Sequence, residues 1–355
     1  MGEKVTTVLA PQQTEAFDKI MAWMKDPNSK RFVLSGYAGT GKTTLARHID
    51  DTIEGIVFCA YTGKAANVLR EKGCRNAGTI HSLLYTPKRD RGDDDEDGAK
   101  FIYDPKPDII NANLVICDEY SMVNMETVKD LESAAKKVLY LGDDFQLPPV
   151  SGGNGLTPDF KLTDVHRQAL ESNIIRVATD LRNMIEPVYC KYDDFVFQRM
   201  KDTPRHVFMG VDQILCGTNK TRLDWTRRYR GDGLPIIGER VMCLKNDREK
   251  GLFNGMTAIV QEDMKVGHIS KIVLDIGTFK CATAPFWDLE LNDKGYDRKI
   301  TFWRYAAVNS VHKSQGSEWD TGLVYDEPIG KTNLDKMRWR YTAISRFKKK
   351  VYLVN

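Results

Sequence analysis

The densest chemistry in the chain lies at Gly36-Tyr37-Ala38-Gly39-Thr40-Gly41-Lys42-Thr43. This is the spacing G-x-x-x-x-G-K-[ST] of a phosphate-binding P-loop. Glycine removes the Cβ that would keep backbone N–H groups from wrapping a polyphosphate. The N-terminus of the helix that follows adds favourable dipole charge. Lys42 is expected to reach the β- and γ-phosphates, and the Thr43 hydroxyl to ligate Mg²⁺. Gly36, Ala38, Gly39, Thr40, Gly41, Lys42, Thr43 and Thr44 are thus the expected nucleotide-binding set, with ATP and Mg²⁺ as cofactors.

A second signal follows at Leu114-Val115-Ile116-Cys117-Asp118-Glu119. An apolar run of strand length ends in two carboxylates. Asp118 is placed to hold the metal, and Glu119 to take the proton of an attacking water. A built-in base points to nucleoside triphosphate hydrolysis rather than transfer to a second molecule. Gln146, in Gly142-Asp143-Asp144-Phe145-Gln146-Leu147-Pro148-Pro149-Val150, can sense a γ-phosphate or position water. Read alone, the same stretch is a Pro-stiffened loop closing a domain.

These residues need a scaffold, and the pattern supplies one. Residues 11–25 predict a helix, with Pro11 at the first position and Ala16, Phe17, Ile20, Met21 and Met24 on one face. Apolar runs at 32–34, 55–59, 114–117 and 138–141 read as strands buried on both faces, with helical stretches such as 63–72 between them. That alternation predicts a doubly wound α/β domain. Residues 86–107 interrupt it, and the span from Asp90 to Asp97 holds six acids and one arginine, which reads as a solvated loop tip. From about 236 to 303 the pattern turns to short strands at 241–244, 257–260, 271–276 and 300–303, with Asn254-Gly255 as a hairpin signal. This block predicts a small β-barrel inserted into a second α/β domain, which resumes at Tyr305.

The 355 residues are 41% hydrophobic and 28% charged, enough for two or three domains and unlike disordered, collagen or coiled-coil chains. A net charge of +3 does not itself announce nucleic acid. No apolar run nears the ~18 residues that span a bilayer, and no signal peptide is visible. Met1-Gly2 with Thr6 matches the myristoylation pattern only formally, with Lys4 the only nearby base. No membrane partner is expected, and the expected location is cytoplasmic. The seven cysteines contain no CxxC pair, which argues against zinc and disulfides. Cys59, Cys117 and Cys243 sit in apolar runs as core residues.

The ordered motifs GYAGTGKTT, CDEYSM, GDDFQLPPV, LTDVHRQ, NGMTAIV, HKSQGSEWD and YTAISR resemble the superfamily 1 helicases. Within them the chain is similar to the 5′→3′ branch of RecD-like and Dda-like enzymes, from about residue 9 to 355. The resemblance implies two RecA-like domains, 1A over 1–155 and 2A over 156–235 and 304–355. ATP would lie in the cleft between them and single-stranded DNA across the top. It also implies a pin-like insert 1B at 82–107 and an SH3-like domain 2B at 236–303. The chain then reads as a nearly bare motor, an ATP-dependent DNA helicase acting as a monomer on single strands and junctions. Replication or recombination proteins are candidate partners. Two alternatives stay open: an RNA helicase or 3′→5′ translocase with the same motor, and a DNA-binding regulatory scaffold.

By the same resemblance, Gln13 reads adenine, Gln146 senses the γ-phosphate, Arg167 and Arg346 are arginine fingers, and Glu318 approaches the ribose. Thr62, Lys64, Thr79 and His81 match backbone-binding loops of the first domain, as do Thr218, Asn219, His312 and Lys313 of the second. Tyr85 and Pro87, at the base of the pin, are placed to stack on or wedge between bases. Lys220, Arg222, Arg227, Arg228 and Arg230 read equally as a solvated face. Residues 336–350, with seven bases and no acid, form the candidate basic patch. Three departures stand out: Tyr61 where many relatives have Pro, Ser345 where Thr is usual, and the acidic tip.

Overall fold

The apolar runs fold as strands covered on both sides. In the first of two units, residues 1–171, the strands are β1 (Arg31–Gly36), β2 (Ile56–Ala60), β3 (Ala77–Thr79), β4 (Tyr85–Pro87), β5 (Phe101–Tyr103), β6 (Leu114–Asp118), β7 (Val138–Gly142) and β8 (Phe160–Leu162). The computed structural model describes residues 9–74, 76–87, 101–149, 152–164, 171–247, 249–288, 295–297 and 299–355. Six strands form one sheet, ordered β3-β2-β6-β7-β1-β8, with every pairing parallel.

Alternate residues of each strand enter opposite cores. Phe32, Leu34, Phe58 and Ile116 face one cluster with Ile20, Leu45 and Ile49. Val33, Val57, Cys59, Val115 and Cys117 face the other with Val128 and Leu131. The helices over these faces are α1 (Pro11–Met24), α2 (Lys42–Thr52), α3 (Gly63–Glu71), α4 (Ile80–Leu84), α5 (Pro107–Asn111) and α6 (Met125–Ala134). The expected helix at 11–25 and the four expected strands are therefore present, shifted by a residue or two at their ends. β4 and β5 pair antiparallel, Tyr85 opposite Tyr103. The acidic run between them lies outside the described residues.

The second unit, residues 172–355, holds two sheets. One contains β9 (Cys190–Lys191), β10 (Phe195–Gln198), β11 (Gln213–Cys216), β17 (Val308–Ser310), β18 (Trp319–Tyr325) and β19 (Phe347–Val354), ordered β17-β11-β18-β19-β10-β9. All its pairings are parallel except β10 with β9. The other contains β12 (Arg240–Cys243), β13 (Thr257–Ile259), β14 (Ile269–Leu274), β15 (Gly277–Ala282) and β16 (Thr301–Tyr305), ordered β13-β12-β16-β15-β14. Its two edges meet: Val260 bridges Leu274, Gln261 N donates to Val273 O, and Asp275 N donates to Ile259 O. The sheet is thereby a small closed barrel around Val241, Ile272, Phe286 and Trp303.

Three details differ from the sequence expectation. The strand expected at 271–276 ends at Leu274, because Asp275 and Ile276 make the turn into β15. Asn254-Gly255 is no two-residue hairpin: β12 and β13 pair, but the chain between them is long enough to make its own Asp247–Leu252 bridge. The barrel also keeps Tyr305, which pairs with Val241, so the larger sheet resumes at Val308.

Candidate active site

The P-loop leaves β1 at Gly36 and enters α2 at Lys42. Gly39 and Gly41 take left-handed φ values of 80° and 77°, which a side chain would strain. Thr40 is buried and donates through Oγ1 to Tyr37 O at 2.8 Å, closing the loop on itself. Lys42 Nζ lies across the loop, donating to Gly36 O at 2.6 Å and Tyr37 O at 3.1 Å. Thr43 and Thr44 follow in the first turn of α2.

Asp118 ends β6, two strands from β1. Burial raises its pKa, the Glu119 charge raises it further, and the Glu119 N–H, Lys42 and Lys72 pull it down. Lys42 is thus close enough for its charge to act on Asp118. Glu119 has φ 55° and ψ 45°, a left-handed conformation rare for a side chain of its size. Strain of this kind collects at functional sites. Asp118 and Glu119 are both half-buried neighbours at the end of β6, and carboxylate oxygens of this kind are the ligand type that suits Mg²⁺.

Gln13 is buried in the first turn of α1. Its Oε1 accepts from Ala10 N at 2.9 Å, and its Nε2 donates to Thr40 O at 3.2 Å and Gly41 O at 3.3 Å. Its amide therefore braces the P-loop. The neighbouring Gln12 was not singled out from the sequence. It donates to Thr163 Oγ1 at 3.0 Å and accepts from Thr163 N at 2.7 Å and Asp164 N at 2.8 Å. Arg167 lies outside the described residues. Gln146 is buried, and its Oε1 has no hydrogen-bond partner among the described residues.

In the second unit, Arg346 is buried, donating from Nε to Thr342 O at 3.2 Å and from Nη2 to Ser345 Oγ at 3.3 Å. Glu318 is exposed and pairs with Lys348 at 2.8 Å. Lys349 pairs with Asp320 at 2.7 Å, and Arg340 with Asp326 at 2.8 Å and Glu186 at 2.7 Å. Much of the expected basic patch at 336–350 is thus neutralised by acids from elsewhere in the unit.

The expected nucleic-acid residues fall on helix starts. Thr62 caps α3 by accepting from Ala65 N at 3.1 Å, with Lys64 in the first turn. Thr79 caps α4 by accepting from Ser82 N at 3.1 Å. The two loops lie side by side, since Ala60 is in register with Thr79. His81 is exposed, not a core histidine, and packs with tilted rings against Tyr85 at 4.5 Å and Phe101 at 4.6 Å. Tyr85 Oη donates to Asp130 Oδ2 at 2.5 Å, and Pro87 pairs with Phe101 in the β4–β5 ladder.

Thr218 caps the helix Asn219–Arg230. Glu327 takes up the Gly217 and Thr218 N–H groups at 3.1 and 3.3 Å and the Thr221 hydroxyl at 2.8 Å. Those amides already serve a carboxylate. His312 and Lys313 occupy the short helix Val311–Ser314. Burial lowers the His312 pKa. For Lys313, burial first and then Arg304 and Arg222 lower it to about 8.

The sequence family described as AAA domain matches residues 8–189, just over half of the chain. The chain belongs to this AAA-domain family. Residues 305–354 match the UvrD-like helicase C-terminal domain. The chain is similar to the ATP-dependent RecD2 DNA helicase of Deinococcus radiodurans, 28% identical over 97% of this chain and 48% of that protein. It is also similar to the ATP-dependent DNA helicase dda of Enterobacteria phage T4, 31% identical over 49% of this chain and 43% of that protein. The chain thus spans about half the length of these curated relatives. Among solved structures, the Pif1 helicase from Bacteroides in complex with ADP-AlF3 and ssDNA matches in fold. Its TM-score is 0.59 at 21% identity, over 98% of this chain and 92% of that one. The superfamily 1 resemblance read from the motifs therefore stands, and the parallel α/β units share the fold of Pif1-like helicases.

Sequence reasoning missed residues whose role depends on three dimensions. Gln12, Asp144 and Glu327 act on backbone or side chains more than 100 residues away. Phe101 had no signal beyond being aromatic near an insert. Arg222 was read within a solvated face, yet it is buried, and Arg230 is largely buried against Glu239 at 2.7 Å.

Proposed function

We propose that the chain is an ATP-dependent DNA helicase that translocates 5′→3′ on single-stranded DNA and unwinds the duplex ahead. The observation that carries this reading is the P-loop of the first unit, with Gly39 and Gly41 left-handed, Lys42 Nζ folded across the loop onto Gly36 O and Tyr37 O, and Asp118 near enough to feel the Lys42 charge. Similarity over 97% of the chain to about half of one named DNA helicase supports extending it from ATP hydrolysis to DNA.

In this reading Lys42 neutralises the β- and γ-phosphates as the P-loop amides hold them. Glu119 takes the proton of the attacking water. The unpartnered Gln146 Oε1 is an acceptor, so it suits a water O–H better than a phosphate oxygen. Thr43 and Asp118 would hold Mg²⁺, which supplies positive charge to the developing negative oxygens. Arg167 and Arg346 are proposed, from their motifs, as cations for the transferring phosphoryl group. Glu318 is proposed near the ribose and Gln13 near the adenine.

We further propose that the β4–β5 pair is the base of a pin and that the closed barrel is an SH3-like 2B domain. Thr62, Lys64, Thr79, His81, Tyr85, Pro87, Thr218, Asn219, His312 and Lys313 make up the proposed DNA track, contacting backbone without reading sequence. The proposed unit of function is the monomer.

The test is unwinding of matched duplexes carrying a 5′ or a 3′ tail, in DNA and RNA forms, with ATP turnover measured in parallel. Unwinding of the 5′-tailed DNA alone is expected. Activity from a 3′ tail would reverse the polarity, preference for RNA would change the substrate, and no DNA-stimulated turnover would leave the scaffold reading.

A further inference from the structure

Two arginines of the second unit are buried without a counter-ion among the described residues. Arg222, in the helix Asn219–Arg230, is 1% exposed, and its Nε and Nη1 have no hydrogen-bond partner among the described residues. Arg304, on β16, is 3% exposed, and its Nε also lacks one. Its Nη2 reaches Asn309 Oδ1 at 3.0 Å and Met242 Sδ at 3.7 Å. Neither donates to a carboxylate among the described residues. Glu327, which faces Cys216, is engaged with Gly217, Thr218 and Thr221.

Leaving a buried guanidinium unpaired costs several kcal/mol in general, so proteins rarely tolerate one. Two that feel one another are costlier still. Burial and then the Arg222 charge lower the Arg304 pKa to about 9. The same two charges act on Lys313, which reaches the surface on the short helix after β17. Three cations thus converge where β11 and β17 end, and strand C-termini are where ligands bind in open α/β sheets. Such a cluster, with no carboxylate partner among the described residues, suits a bound anion.

We propose that Arg222, Arg304 and Lys313 form a seat for one phosphate of a single-stranded DNA backbone, a reading that rests on the proposed helicase function. Lys313 makes the contact, and the two guanidiniums behind it supply positive charge that no acid among the described residues cancels. The short helix carrying Lys313 holds its ammonium group at the surface. The seat is blind to base identity, as a translocating motor requires.

The test compares wild type with Arg222→Met, Arg304→Met and Lys313→Met. Affinity for an oligo-dT strand is followed by fluorescence anisotropy across a salt series, and melting temperature with and without inorganic phosphate. Each variant is expected to weaken binding about tenfold. Each should also flatten the salt dependence by about 0.7 in log–log slope, the signature of one lost phosphate contact on single strands. The arginine variants should melt at or above the wild-type temperature, because methionine removes a buried charge. Phosphate should stabilise wild type more than either arginine variant. Lower melting temperatures with an unchanged salt slope would make the arginines structural and overturn the seat. Weakened ATP binding with intact DNA binding would assign the phosphate to a nucleotide and also overturn it. If wild type binds no oligonucleotide, the helicase reading fails; Arg222-dependent stabilisation by phosphate would then keep the anion seat, and its absence would end both.

Discussion

Asp144 accepts a 2.6 Å hydrogen bond from Ser35 Oγ, and its other carboxylate oxygen pairs with Lys161 at 2.5 Å. Ser35 immediately precedes the first P-loop glycine, and Asp144 lies two residues before Gln146. The contact ties the loop bearing the buried glutamine to the strand that launches the phosphate loop. Burial works against the Asp144 charge, but Lys161 and Ser35 outweigh it and hold the carboxyl below its usual range. Ser35→Ala is expected to cut kcat about tenfold, with ADP affinity changed less than threefold and stability lowered by about 1 kcal/mol. Titration with a fluorescent ADP analogue beside steady-state kinetics separates the two effects. Equal losses in turnover and binding would show that the bond serves the P-loop alone.

Glu119 combines a proposed chemical role with backbone strain, and two substitutions separate them. Glu119→Gln keeps the shape and the left-handed φ of 55° but removes the base. Glu119→Gly removes the base and relieves the strain, which costs about 1 kcal/mol or more for a side chain in this region. Both should retain nucleotide binding and lose turnover by at least about 100-fold. Only the glycine variant should gain stability in chemical denaturation. Full turnover in either would remove Glu119 from the chemistry.

Much of unit 1 was legible because its signals are local. A Gly-rich turn between an apolar strand and a helix leaves few alternatives, and Pro11 marks the start of α1. Two-faced burial forces apolar runs at 114–117 and 138–141 whatever surrounds them. The second unit was harder to read in its charges. Arg222 and Arg228 share one helix and one residue type, but 3.6-residue periodicity places the first inward and leaves the second exposed. Charge alone could not show which side was sealed by β16 and β17. Residues 336–350 looked basic for the same reason, since their acids Asp320, Asp326 and Glu186 are supplied by other elements. The Asn254-Gly255 signal described a turn correctly but not its place in a longer connection.

Phe101 is 49% exposed and packs with a tilted ring against His81, which itself packs tilted against Tyr85. Tyr85 is pinned by Asp130, so the three rings form a platform anchored at one end. An aromatic surface of this kind stacks on bases at about 1–3 kcal/mol each. Phe101→Ala should slow strand separation at least fivefold while leaving single-strand-stimulated ATP turnover within twofold. Unwinding and turnover measured on the same preparations give the ratio. A parallel loss of both would place Phe101 in the motor's fold instead of its working edge.

Lys313 gives the DNA interaction a pH signature. Burial, Arg304 and Arg222 lower its pKa to about 8, and Cys216 and Glu327 are the other ionisable groups near this cluster. The Cys216 thiol is pushed up to about 12, so it stays neutral across the range of interest. His312 is held below its ordinary pKa, so it carries little charge above pH 7. Lys313 is therefore the group whose charge is lost first as pH rises through about 8, ahead of Arg304, whose pKa burial and the Arg222 charge lower to about 9. Its folded-state pKa lies below the unfolded value, so deprotonation costs no stability: the folded state gains relative stability from about pH 8 to 10.5. Affinity for the strand moves the opposite way, because the phosphate favours the charged form. Wild-type affinity should fall from pH 7 to pH 9 at fixed salt, while thermal stability does not fall with it. Lys313→Met should bind weakly at both values and lose that pH dependence, and Lys313→Arg should bind well at both. A pH dependence that survives in Lys313→Met would place the titrating group elsewhere.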